Sequence, residues 1–329
     1  MKRLRFGVIG CGGISTLYQL PALRASPAVE LEAVCDTDGA WAQGVARRFG
    51  ARRVLQDFRE CIGQVDAVLV ATPNHTHADI ACVLLEAGIH VLCEKPMANT
   101  SAEIERMLDT ANRSGSRLMA AHCLRFSPNV MLLKQMIAAG WFGDITSMSA
   151  AIGGPYEAGA QRTHFRRHKG LAGGGVLIDL GTHVIDLALW LSDDRPANLV
   201  YSASSAPGWE VETDSELTLE FGPNRRALLT ASYTRMLDAT LRVRGRSGWA
   251  AVPLYRPAEL VLFSRQARIC RRAGLQRLLL SEESMYTRQI AHFCEAVASG
   301  EPFVVRADEV RAVMQVIERC YEKRQAEAA

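Results

Sequence analysis

Up to residue 121, short apolar runs alternate with segments whose apolar positions recur at helical spacing. LRFGVIG opens the series and is followed by a helix to about residue 24; LEAVC is followed by a helix to about residue 49. DAVLVA precedes an Ala- and Leu-rich helix over 77–87, HVLC precedes a helix over 101–113, and RLMAA ends the series. The runs are aliphatic throughout instead of alternating, as strands covered on both faces must be. This pattern predicts an α/β, doubly wound parallel sheet.

After His122 the pattern changes. A helix is expected after Pro128, ending near Gly140, then a strand in GDITSMSAAI, a loop rich in glycine and charge, and one apolar helix over about 176–191. From Ala197 to about Phe263 the period becomes two: Glu216, Thr218 and Glu220 interleave with Leu217, Leu219 and Phe221. That alternation predicts a large, mostly antiparallel open sheet with one wet face. Helices over about 283–298 and 308–324 close the chain. At 329 residues and 48% hydrophobic content, two units are expected, 1–122 and 123–329.

Composition narrows the partners. There are 38 basic and 35 acidic residues, a net +3 with no long block of one sign, which argues against a nucleic-acid or membrane-surface partner. The nine cysteines are scattered without a CxxC pair, as expected of reduced, buried thiols in a cytoplasmic protein, and no metal is expected. The basic head is followed by an apolar run too short and glycine-broken for a signal peptide, and no later run approaches the ~20 residues of a membrane span.

The first strand ends in Gly10-Cys11-Gly12-Gly13-Ile14-Ser15. Small residues at a strand-to-helix turn let the backbone approach a pyrophosphate, which the helix N-terminus favours. Alone, such a turn also fits an α/β domain without a ligand. Asp36, at the end of the second strand, adds a carboxylate where ribose hydroxyls bind, although it could instead cap the next helix. Thr37 and Asp38 come directly after it, with no cation adjacent to hold a 2′-phosphate, so NAD is expected in preference to NADP; Arg47 or Arg48 could still fold back to a phosphate. Ligands lie at the carboxyl edge of such a sheet, which brings Thr72, Pro73, Asn74 and His77 to the cofactor. HVLC delivers Glu94 and Lys95 to the same edge, with Pro96 holding Lys95 in extended backbone. There Lys95 can donate to a substrate oxygen or a ribose hydroxyl; the alternative is a surface Glu-Lys pair.

In GGGVLIDLGTHVIDLALWL, Asp179 and His183 are four apart, on one helix face, and Asp186 comes three further on. The rest of that helix is apolar nearly all round, so these groups need partners or a cavity. A buried Asp-His hydrogen bond, or a metal held with Asp186, would also satisfy the pattern.

GVIGCGGI, VCD, ATPNHTH, HVLCEKPMA, LRFSP and GGGVLIDLGTHVIDLALWL together resemble the glucose-fructose oxidoreductase, inositol dehydrogenase and MocA (Gfo/Idh/MocA) family over nearly the whole chain. The resemblance implies a Rossmann domain and a second α/β domain whose open sheet makes homo-dimers or homo-tetramers. It also implies oxidation or reduction of sugar, inositol or polyol carbons with NAD or NADP. Lys95, Asp179 and His183 are then the catalytic set, with His183 as general base for hydride transfer, Lys95 polarising the reacting oxygen, and Asp179 positioning the hydroxyl and His183. Arg125 and His164 are expected at the substrate. The rest of the basic loop 162–169, with Arg166, Arg167 and His168, is expected to be solvated; if it lines the site, an anionic substrate such as a uronate or a nucleotide-linked sugar fits. Two other functions fit the cofactor end: an NAD-retaining glycoside hydrolase or lyase working through transient oxidation, and a non-catalytic dinucleotide sensor.

Overall fold

In the computed structural model, residues 3–156, 165–265, 274–281 and 283–328 are described. The first sheet contains β1 (Leu4–Ile9), β2 (Val29–Cys35), β3 (Arg53–Leu55), β4 (Ala67–Val70), β5 (His90–Cys93) and β6 (Leu118–Ala120). All its pairings are parallel, in the order β3-β2-β1-β4-β5-β6. The crossovers are α1 (Leu20–Ala25), α2 (Gly39–Phe49), α3 (His77–Glu86) and α4 (Ser101–Ser114). Every residue of β4 is buried, as a central strand covered on both faces requires. The strand order reverses between β1 and β4, and this opens the crevice where a nucleotide binds in such sheets.

The second domain begins with α5 (Pro128–Ala138), β7 (Ile145–Gly153), the short α6 (Lys169–Ala172) and α7 (Thr182–Ser192). Then come β8 (Asn198–Ser204), β9 (Asp214–Glu220), β10 (Arg226–Ser232), β11 (Thr240–Gly245), β12 (Gly248–Pro253), β13 (Glu259–Ser264) and β14 (Gly274–Leu279). These strands and β7 form one eight-stranded sheet, β14-β13-β12-β11-β7-β10-β9-β8, antiparallel except between β7 and β10. Alternate residues such as Leu217, Leu219, Leu229 and Val243 face the core beneath it. On the other face Val200 and Leu228 stand exposed beside Glu216 and Arg242.

The chain then returns to the first domain through α8 (Met285–Ser299) and α9 (Ala307–Ala328). Phe293 of α8 packs edge-on against Phe6 of β1, with ring centroids 5.9 Å apart. Glu318 of α9 accepts from both the backbone N–H and the hydroxyl of Ser101, at 2.7 and 2.6 Å, and so caps α4. The division at residue 122 therefore separates the two sheets, while the closing helices bind both.

Two details differ from the expectations set by the sequence. The stretch Lys169–Ser192 is long and apolar enough to cross a membrane by composition, contrary to the expectation that no run approaches that length; in this fold it is mostly buried in the protein core. In addition, the helices following Gly13 and preceding α7 begin as π turns, Ser15–Gln19 and Leu177–Gly181. Such wide turns are rare and occur frequently at functional sites.

Candidate active site

The first wall is the turn after β1. Gly10 has φ +93°, and a Cβ there would lie 2.5 Å from Ala71 O at the end of β4, so only glycine lets the two strand ends approach this closely. Nothing stands within 4 Å of a Cβ placed on Gly12 or Gly13, which leaves the start of the helix open to a ligand. Ile14 occupies the helix N-cap and packs partly against the core. Asp36 is oriented by two backbone donors, Cys11 N–H at 2.9 Å and Asp38 N–H at 3.0 Å. An open glycine turn at a helix start, with a carboxylate fixed across from it, fits the pyrophosphate and ribose of a dinucleotide.

Not every residue expected at the cofactor keeps a free polar group. The Thr72 and Thr76 hydroxyls pair at 2.7 Å beyond the end of β4, and Pro73 precedes a short helical turn. Asn74 donates to Ala172 O at 3.1 Å, latching this loop to the glycine run of the second domain. His77 is buried, with its ring nitrogens 2.9 Å from Pro96 O and 2.8 Å from Thr72 O. It braces two strand-end loops instead of presenting an edge to a ligand, which corrects the expectation that it contacts the cofactor. Glu94 is also buried; it accepts from Gln19 Nε2 at 2.6 Å and from Lys95 N–H at 3.1 Å, and burial raises its pKa.

Lys95 comes directly after β5 and is joined to Pro96 by a cis peptide bond. Its Nζ donates to Asp179 Oδ1 at 2.8 Å and to Asp179 O at 2.9 Å. The other oxygen of Asp179 accepts from Arg166 Nε at 3.0 Å and from the Tyr233 hydroxyl at 2.7 Å. Burial alone would raise the Asp179 carboxyl, but the cations Arg166 and Lys95 and the hydrogen bonds of Lys95 and Tyr233 outweigh it and hold the group far below the usual carboxylate range. A glutamate outside the sequence-predicted set fixes the approach to this residue: Glu212 accepts from Gly175 N–H at 3.0 Å, Leu177 N–H at 3.1 Å and the Tyr321 hydroxyl at 2.8 Å. A Cβ on Gly175 would overlap the Glu212 backbone.

His183 lies in the first turn of α7, 9% exposed, and its Nδ1 is buried without a hydrogen-bond partner. Burial pulls its pKa well below the ordinary value, Lys95 and His122 add to this, and Asp179 opposes it, so the ring is neutral at neutral pH. Asp179 accepts from Lys95, Arg166 and Tyr233 and not from His183, whose Nδ1 has no partner, which corrects the expected direct positioning. The ring against His183 is that of His122, edge-on with centroids 6.2 Å apart.

Arg125 does not reach this cleft. It is 1% exposed and makes a two-pronged pair with Asp186, at 2.9 and 2.6 Å, besides binding Glu309 and donating to Val304 O at 3.1 Å. The arginine expected at the substrate is a buried tie between α7 and α9, and its partner Asp186 is thereby explained as well. His164 lies outside the described residues. Arg166, expected to be solvated with its neighbours, instead joins Lys95 at Asp179. Tyr233 is hidden in the two-residue period at the end of β10. Glu212 and His122 carry no local motif that would single them out.

Known proteins resemble this chain in both domains. Residues 4–122 match the profile described as "Oxidoreductase family, NAD-binding Rossmann fold", and residues 130–251 match the GFO/IDH/MocA C-terminal domain. An uncharacterised oxidoreductase of Rhizobium meliloti is 26% identical over 325 residues, covering 96% of each chain. Levoglucosan dehydrogenase of Pseudarthrobacter phenanthrenivorans is 34% identical over 201 residues, 58% of this chain and 52% of that protein. A solved structure of levoglucosan dehydrogenase in complex with NADH is 25% identical, superposes with a TM-score of 0.87, and is matched over 98% of this chain and 96% of that one. The glycine turn, the lysine after β5 and the helix carrying Asp179 and His183 therefore lie in a member of the Gfo/Idh/MocA oxidoreductase family, with an NAD-binding Rossmann domain and the family's C-terminal domain.

Proposed function

We propose that this oxidoreductase oxidises or reduces a secondary alcohol or ketone of a sugar or polyol, with NAD in preference to NADP. The observation that carries the reading is the convergence of a neutral His183 with the Lys95–Asp179 pair beside the dinucleotide crevice. Relatives named as levoglucosan, D-glucoside and inositol dehydrogenases support the substrate class.

When bound, nicotinamide supplies the acceptor or donor of the hydride. The residues of this chain handle the oxygen. In the oxidative direction the substrate hydroxyl gives its proton to His183 as the hydride leaves the same carbon. In reduction, protonated His183 returns that proton to the carbonyl oxygen. The Lys95 ammonium donates to the reacting oxygen and stabilises the negative charge that develops on it. Asp179, ionised by its two cations and Tyr233, aims Lys95 and acts on His183 through its charge and not through a hydrogen bond. Asp36, pre-oriented by two N–H donors, accepts from ribose hydroxyls and repels a 2′-phosphate.

The broad outer face of the second sheet, with Val200 and Leu228 exposed on it, supports a homo-dimer or homo-tetramer assembled through that face. We place the protein in the cytoplasm on its unpaired cysteines, eight of which are buried and free in the structure. The test is steady-state NADH formation on a panel of inositols, aldoses, glycosides and uronates, run beside His183→Ala. Turnover by the wild type and its loss by ~10²-fold or more in the variant is the expected result. Tight NAD binding with no net NADH formed from any of them would overturn the reading in favour of a closed redox cycle.

A further inference from the structure

The surroundings of Asp36 hold a residue that no motif singles out. Trp41 stands in the first turn of α2 and is 41% exposed, yet its indole is fixed: Nε1–H donates to Cys11 O at 2.7 Å. Cys11 is the residue whose N–H orients Asp36. The carboxylate is held from the other side as well, since Asp36 Oδ1 accepts from Asp38 N–H and Asp38 Oδ1 accepts from Trp41 N–H, both at 3.0 Å. Cys11, Asp36, Asp38 and Trp41 thus form one closed set of contacts beside the position of the adenosine ribose.

Building on the dinucleotide site and the NAD preference proposed above, we propose that Trp41 is a specificity-determining residue: its indole walls the 2′ side of the ribose, admitting a hydroxyl and refusing a phosphate. A 2′-phosphate carries nearly two negative charges and needs a cation or free N–H groups. Next to Asp36 stand Thr37, Asp38 and Gln56, whose Nε2 already donates to Thr37 O at 3.3 Å, and no cation adjoins Asp36 in sequence. The positive end of α2 favours an anion, and the Asp38 carboxylate occupies it. Arg47 and Arg48, the cations that could fold back to a phosphate, lie in the last turn of α2, roughly 9 Å or more along the axis beyond Trp41 at 1.5 Å per residue. The Arg48 guanidinium lies over the Phe49 ring at 5.0 Å from its centroid.

The experiment measures dissociation constants of NADH and NADPH by calorimetry on the full-length wild type, Trp41→Ala and Trp41→Phe. The ratio of the two constants is the readout, because general loosening of the fold weakens both dinucleotides alike. The wild type prefers NADH, Trp41→Ala narrows the ratio by roughly tenfold, and Trp41→Phe, which keeps a ring without the N–H, retains most of it. An unchanged ratio in Trp41→Ala with a strong wild-type preference overturns the role of Trp41 and leaves that of Asp36 standing. Equal wild-type affinities would instead overturn the preference itself, and the wall with it. Should Trp41→Ala fail to fold, Trp41→Leu keeps bulk without an aromatic ring, and a wild-type ratio in that variant refutes a wall made by the indole.

Discussion

Lowering the pH from 7 to 5 should destabilise this protein through a histidine that its proposed chemistry does not use. His122 is 1% exposed, and its Nδ1 stands 3.6 Å from Asp186 Oδ2, too far for a hydrogen bond. Burial pulls its pKa down to about 4; Arg125 and Lys95 push the same way, and Asp186 opposes them. In the unfolded chain the same ring titrates near 6.5. A depressed folded-state pKa means that the unfolded state takes up the proton first as the pH falls. The contribution is therefore complete above about pH 6.5 and is lost progressively on the way down to about 4. At 1.36 kcal/mol per unit, the part lost between pH 7 and 5 is about 2 kcal/mol, and the ceiling over the whole window is about 3 kcal/mol.

Against a typical total of about 5–15 kcal/mol, that loss is measurable. His183, His77, His90 and His292 are all lowered by burial and act in the same direction, so the overall slope does not isolate His122. The comparison with His122→Leu does. That substitution keeps apolar volume and leaves Asp186 its two bonds from Arg125. Urea unfolding of both proteins at pH 7 and pH 5 stays above the range in which the lowered carboxyls Asp179 and Asp186 begin to protonate. The variant should lose about 2 kcal/mol less than the wild type over that interval. Equal losses in the two proteins would refute the reasoning and mean that His122 titrates normally in the fold, and a smaller loss in the wild type would mean that it is charged there.

Arg125→Met should lower unfolding free energy by roughly 3–5 kcal/mol in urea titrations, because Asp186 is left charged in the core; the folded fraction should keep its substrate KM, which a substrate-binding arginine would not allow. Asp179→Asn removes the charge that gathers Lys95 and Arg166, so turnover should fall by ~10²-fold or more while calorimetric NAD affinity holds within a few-fold. Leu228→Arg on the outer face of the second sheet should shift the protein toward monomer in light scattering, with little change in thermal stability at high dilution; an unaltered oligomer would place the interface elsewhere.

The range of each interaction decides which features are legible in the sequence. The parallel strands and the alternating second sheet are local patterns imposed by burial on both faces or on one, and both can be read directly. β3 escapes, because Arg53–Leu55 is short and sits at a sheet edge with only Leu55 fully buried. The glycine turn and Asp36 are legible for a related reason: a close backbone approach at Gly10 leaves only one residue type possible. Arg125 and Arg166 show the opposite case. Neither carries a local signal of its role, and the partner that decides it, Asp186 or Asp179, lies on a different element.

The spacing of Asp179 and His183 puts them on one stretch of helix but does not show which partners each takes. Residues three or four apart lie on one helix face, and the π turn Leu177–Gly181 across this interval does not change that. Asp179 takes its bonds from Lys95, Arg166 and Tyr233, whereas His183 is separate from these bonds, its ring set against His122. The separation keeps the two roles electrostatically compatible: a carboxylate bonded to His183 would raise its pKa and favour the charged ring, while one neutralised by two cations leaves it neutral and able to accept a proton. Partners on other elements therefore let one short helical segment hold a permanent anion and an uncharged base side by side.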